Sequence, residues 1–216
     1  MRRIAAEGLG AALLTAVVIG SGIMGARLAD GNEGVALLAN TLATAAILFV
    51  LISAFGPISG AHFNPAVTLV EAMRGNLSAH AAIAYVAAQI TGCVAGAILA
   101  HALFELPLIQ IASTERDGAA LFVSETAATF ALVACILLVG RSNPGALPAA
   151  VALTIAAGYW WTSSTSFANP AITIARAMSD TFAGIRPQDA PSFIAAQIAG
   201  ALLALRVCDW LVRKRA

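Results

Sequence analysis

The chain is 216 residues long, 60% apolar and only 11% charged, with a formal net charge of +1 and a mean hydropathy of +0.86. A soluble domain carries nearer ~25% charge, so a soluble fold is excluded, and the near-zero net charge argues against nucleic acid as a partner. Six spans of ~20 residues and two half-spans use most of the chain, which leaves a single membrane domain over 1–216 with the lipid bilayer as its solvent.

Met1-Arg2-Arg3 before an apolar run has the outline of a signal peptide, but the run continues to about Leu28. That is too long for a cleaved apolar region, so it reads as a retained first span, Ile4 to Ala26. Within it Gly8, Ala12, Ala16 and Gly20 recur every four residues, a small-residue face that lets helices approach closely in lipid. Arg27 to Gly34 is a polar turn and Val35 to Ala54 the second span. Phe55 to His62 reads as a loop containing Gly and Pro. It leads into Asn64-Pro65-Ala66, which opens a short helix ending near Gly75. Asn is a good N-cap, and Pro suits the first helical position, where its missing N–H costs nothing. Ser78 starts a third span of about 25 residues, with Gly92 and Gly96 as a further close-packing face. Glu105 to Gly118 is the longest polar connection. The fourth span is Ala119 to Val139, Arg141 to Gly145 a tight turn, and Leu147 to Trp161 the fifth span. Asn169-Pro170-Ala171 repeats the earlier triplet and opens a second short helix, Ile172 to Met178, closed by Gly184 to Pro187. At roughly 10 residues, or about 15 Å, it crosses half a bilayer core. Pro191 to Leu211 is the sixth span.

The two halves, about 1–110 and 119–216, repeat one another. Glu7 pairs with Glu125, the first triplet with the second, and A-A-Q-I-T-G ending at Gly92 with A-A-Q-I-A-G ending at Gly200, at offsets of 118, 105 and 108 residues. Three spans per half is an odd number, so the halves sit inverted, the way membrane proteins build a site at the midplane. Placing both termini in the cytoplasm puts Arg2, Arg3, Arg74, Arg141, Arg206, Arg213, Lys214 and Arg215 inside, against Arg27, Arg116, Arg176 and Arg186 outside. That excess is the positive-inside pattern, here of an inner cell membrane. Cys93, Cys135 and Cys208 lie in apolar runs without metal-ligand spacing, so neither disulfide, metal nor cofactor is expected.

Ser59-Gly-Ala-His-Phe-Asn-Pro-Ala-Val67 together with Phe167-Ala-Asn-Pro-Ala-Ile172 resembles the aquaporin and aquaglyceroporin channels, the major intrinsic proteins. The resemblance covers nearly the whole chain. It implies an all-α membrane protein of six transmembrane helices and two re-entrant half-helices that meet head to head, assembled as a homotetramer. The small-residue faces on spans one and three, with Ala196, Gly200 and Ala204 on span six, are read as available for that assembly. Glu7 and Glu125 are acids inside spans, and such residues are functional candidates by default. The family implies that they brace the irregular loops, and no partner series for a proton relay accompanies them. His62 reads as a hydrogen-bonder of its loop and not as a gate, His80 and His101 as helix-end residues, Gln89 and Gln197 as helix ties, and Trp160 and Trp161 as an interfacial belt.

Counted from the triplets, the family's outer constriction falls on Thr44, Ala157, Ser166 and Ile172. Water-selective relatives carry an aromatic, a His, a small residue and an Arg there, and glycerol-conducting ones keep the Arg. This chain has Ile at the Arg position, and the ring is expected to be wide and weakly polar, without aromatic or His. That resembles a bacterial subgroup associated with arsenic-resistance operons, whose implied solutes are uncharged metalloid hydroxides such as arsenous acid. Arg176, four residues on, either lines the outer vestibule or caps the half-helix C-terminus. The expected function is a passive channel for small neutral solutes such as glycerol or arsenous acid, with some water. The alternatives are a mainly water-conducting aquaporin or, in another class, a secondary transporter with broken helices. An enzyme is not expected, because no nucleophile–base pair or His/Asp/Glu cluster is present.

Overall fold

A computed structural model describes residues 1–213, so the Lys214 and Arg215 of the charge count lie outside the described residues. The chain folds as α1 (Arg2–Leu28), α2 (Glu33–Ser59), α3 (Pro65–Met73), α4 (Ala79–Leu103), α5 (Ala119–Ser142), a 3-10 turn (Pro144–Ala146), α6 (Leu147–Trp161), α7 (Pro170–Arg176) and α8 (Ala190–Val212). Among the described residues α1, α2, α4, α5 and α8 are each long and apolar enough to cross a membrane. The sixth, α6, is 15 residues long and is continued by the 3-10 turn before it.

Caps explain several limits. The Asn32 and Ser78 side chains accept from the N–H groups of Val35 and Ala81 and start α2 and α4. Several limits differ from the expectation, among them that of α5, which runs past Val139 to Ser142 and so into the expected turn. α2 does not end near Ala54 but runs through Pro57 to Ser59. A proline this close to the end removes one ladder bond, and Gly60 at φ 93 then closes the helix. α7 stops at Arg176 and not at Met178, because the Ile185 N–H reaches back to the Arg176 carbonyl and folds the following loop over the helix end.

Packing repeats between the halves. α1 lies on α4 and α2, while α5 lies on α8 and α6. The short helices α3 and α7 each touch both α4 and α8. The small-residue faces do not face outward. A Cβ on Gly92 would stand 2.2 Å from the Gly8 carbonyl oxygen, and one on Gly96 2.2 Å from that of Ala12. In the second half a Cβ on Gly200 would stand 2.2 Å from the Thr126 oxygen, and Ala196 and Ala204 are fully buried. These faces are largely used inside one chain by close helix-to-helix contact, although Gly8, Ala12 and Ala16 on α1 remain partly exposed. Gly92→Ala should therefore lower the thermal unfolding temperature, at about 1–3 kcal/mol for overpacking. Gly140→Ala, where a Cβ meets only a Leu147 methyl at 4.0 Å, should be neutral or stabilising. Equal melting temperatures for the two variants would contradict this packing.

Candidate pore

The triplets act first as helix starts. Asn64 and Asn169 have extended backbone, and their Oδ1 atoms accept from the N–H groups of Ala66 (2.9 Å) and Ala171 (3.0 Å). Their amide nitrogens cross between the halves. Asn64 Nδ2 donates to the Ala168 carbonyl at 2.7 Å, and Asn169 Nδ2 donates to the Phe63 carbonyl at 2.8 Å. Each half-helix thus holds the loop that leads into the other, and the N-termini of α3 and α7 converge with their partial positive charges.

The approach loops need support, because both contain non-glycine residues in the left-handed region. Ala61 and Phe63 stand at φ 51 and 49, and their repeat partners Ser166 and Ala168 at φ 53 and 47. Such backbone persists only where its surroundings hold it. Glu7, fully buried, accepts from the Ser59 hydroxyl (2.6 Å), the N–H groups of His62 (3.0 Å) and Phe63 (2.7 Å), and Gln89 Nε2 (2.8 Å). Glu125 accepts from the N–H groups of Phe167 and Ala168, both at 2.9 Å, and from Gln197 Nε2 at 2.6 Å. Gln89 also donates to Thr68, and Gln197 to Thr173. Those threonines went unremarked in the sequence, although both stand four residues after a triplet asparagine, where the repeat marks them. His62 Nδ1 lies 3.1 Å from the Thr68 hydroxyl, and the ring also lines the cavity described next. His101 is more than a helix-end residue. It is fully buried and bridges the Leu108 carbonyl and the Ser179 hydroxyl.

A cavity of about 490 Å³ passes these loops, reaching from Arg74 and Arg141 at one end to Arg176 at the other. Asn64, Asn169, Gly60 to Phe63 and Ser166 to Ala168 line it. The carbonyls of Gly60, Ala61, His62, Ser166 and Phe167 accept no hydrogen bond among the described residues. Irregular backbone at membrane depth is tolerated where it lines a watery cavity, and such carbonyls offer acceptors to a hydroxylated solute. Much of the remaining wall is apolar, including Leu14, Val18, Leu48, Leu132, Val151 and Ile155, while Glu71 joins Arg74 at the first end.

Thr44, Ser166 and Ile172 line the outer part of this cavity, but Ala157 does not. Ala157 is exposed on the outside of α6, and Tyr159 occupies the wall in its place, its hydroxyl 3.2 Å from that of Thr44. Counting back from the triplet presumed a connection two residues longer. Two residues turn a helix by about 200°, which carries the side chain to the opposite face. The ring therefore does hold an aromatic. Arg176 also lines the cavity. It is buried, stacks 3.2 Å from the Phe167 ring centroid and donates from Nε to the Ala183 carbonyl. Outside the spans, the Ser113 N–H and hydroxyl both donate to Asp180 and hold its carboxyl below the usual range. This clasp between connections is present at neutral pH and is lost as pH falls through that lowered value.

Comparison with known proteins bears on the family and the fold. Residues 1–157 match the family profile described as "Major intrinsic protein". Over 212 residues, 98% of this chain and 91% of the relative, the sequence is 50% identical to aquaglyceroporin AqpS of Rhizobium meliloti (strain 1021). It is 33% identical over 171 residues to aquaporin-1 of Pongo abelii, covering 73% of this chain and 63% of the relative. The X-ray structure of the aquaglyceroporin from Plasmodium falciparum superposes with a TM-score of 0.72 over 97% of this chain and 94% of that one, at 19% identity, which speaks to the fold alone.

Proposed function

This chain belongs to the major intrinsic protein family and is a passive membrane channel for small uncharged solutes, not an enzyme, and from that premise we propose that its pore is set for molecules of glycerol and arsenous-acid size. The observation that carries the proposal is the outer wall formed by Thr44, Tyr159, Ser166 and Ile172, which holds three hydroxyls and an aliphatic side chain. Hydroxyls both donate and accept, so they can replace the hydration of a polyol or a metalloid hydroxide one bond at a time. Ile172 supplies no charge and no five-donor guanidinium, which leaves the passage wide and water transport moderate. Asn64, Asn169 and the half-helix termini are read as the midplane selectivity element, and Glu7 and Glu125 as the braces that hold it open.

The whole of 1–216 is read as one channel domain, with both termini in the cytoplasm of an inner membrane, as the basic residues suggest. Family membership also supports a homotetramer with a pore in each subunit. With the glycine seams used internally, its contacts fall to exposed apolar side chains such as Leu38, Leu42 and Phe49 on α2 or Leu153 on α6.

Uptake of glycerol and of arsenous acid into proteoliposomes tests the reading. Both should enter down their gradients well above the rate of protein-free vesicles, with low temperature dependence and no loss on adding an uncoupler. Uptake abolished by the uncoupler would point to a coupled transporter.

A further inference from the structure

We propose that the electrostatic barrier of this pore is built from two arginines stacked on one phenylalanine, Arg176 and Arg116 on Phe167, at its outer end. The inference rests on the solute-channel reading and adds the element that keeps cations out. The Arg176 guanidinium lies 3.2 Å from the Phe167 ring centroid, and that of Arg116 lies 5.1 Å from it. Their Nε atoms grip consecutive carbonyls, Arg176 that of Ala183 and Arg116 that of Gly184. Arg116 comes from the connection between the halves and Arg176 from the end of α7, so the loop between α7 and α8 that holds them ties that connection to the second half.

The location gives the pair its consequence. Arg176 and Phe167 line the 490 Å³ cavity, while Arg116 lines a second, outer cavity of about 670 Å³ with Glu33, Thr165 and Phe182. The stack thus presents one arginine to each cavity. Nε to Ala183 is the only side-chain hydrogen bond of Arg176 among the described residues, which leaves its other guanidinium N–H groups to the cavity it lines. Stacking on an aromatic face and bonding to a carbonyl both pin the guanidinium. A pinned cation on the wall repels passing cations without filling the lumen, which a guanidinium at Ile172 would do. Phe167 is itself fixed, since its N–H donates to Glu125 and its ring packs edge-on against Phe193 at 5.1 Å.

The test measures proton leak into pyranine-loaded proteoliposomes under a potassium-diffusion potential, per protein incorporated. Arg176→Gln should raise the leak about tenfold or more, since a unit charge this close to the path dominates its potential. Arg176→Lys, which keeps the charge and loses the planar stack, should restore most of the exclusion, and Phe167→Leu should give an intermediate leak. An unchanged leak in Arg176→Gln overturns the proposal. So does a rise that Arg176→Lys does not reverse, because the residue would then act only by holding the loop. If Arg176→Gln does not incorporate, an unchanged leak in Phe167→Leu overturns it equally. A leak that responds as described in a protein whose wild type passes no glycerol contradicts the solute reading and leaves the barrier standing.

Discussion

Ile172→Arg should cut glycerol and arsenous-acid uptake about tenfold or more while reducing water flux by only about threefold. Ile172 is buried, lines the 490 Å³ cavity three residues after Asn169, and shares the wall with Thr44, Tyr159 and Ser166. A guanidinium there reaches across a passage that the aliphatic side chain leaves open, and it brings five N–H donors that bind and retain hydroxylated solutes. It also stands one helical turn from Arg176, so two like charges would face each other. At an effective dielectric constant near 20, a unit charge 4 Å from the path is worth about 4 kcal/mol to an ion, but little to a neutral molecule beyond its hydrogen bonds. Size therefore governs the loss, and the larger solutes suffer first. The comparison belongs in one batch of proteoliposomes normalised to incorporated protein. Equal losses for all three solutes would mean a plugged or misfolded pore and no filter role for this wall.

Glu7→Gln should destabilise the fold by about 3 kcal/mol and silence flux, the largest structural effect expected from a change of so few atoms. Each Glu7 oxygen serves two donors, and an amide replaces one oxygen with a group that can only donate. The least costly placement turns the amide nitrogen toward Ser59, whose hydroxyl can rotate to accept. The His62 N–H beside it then loses its acceptor in a buried site. Ala61 and Phe63, held at positive φ against their preference, are then free to relax into the lumen. Thermal unfolding in detergent and glycerol uptake should fall together. A variant as stable as the wild type, with normal uptake, would show that the loop stands without its brace.

Much of this site was legible in the residues because it is written twice. Acid, triplet and Gln recur in the same order in both halves, and the structure ties each acid to the Gln of its own half and each triplet asparagine to the loop of the other half. Hydropathy alone placed the long helices, and α6 runs over the same Leu147 to Trp161 as expected. What was not legible depends on registers and directions that composition does not carry. The length of the connection after α6 decides whether Ala157 or Tyr159 faces the cavity, and no residue in that connection announces its length. A four-residue spacing of glycines says that something approaches closely, but not that it is the helix three helices away in the same chain. Arg176 offered a vestibule lining and a helix cap as alternatives. Its position depends on the loop at Ala183, which folds back only in three dimensions.

The central claim is a passage wide enough for hydroxylated solutes beyond water, and a graded series tests it most directly. Stopped-flow light scattering on proteoliposomes should compare water, glycerol and progressively longer polyols against protein-free vesicles from the same lipid. The account predicts glycerol permeability well above the protein-free rate, a decline as the polyol lengthens, and only moderate water permeability. Fast water flux with glycerol entering no faster than in protein-free vesicles would contradict it and would make this a water channel whose constriction Tyr159 closes to larger solutes.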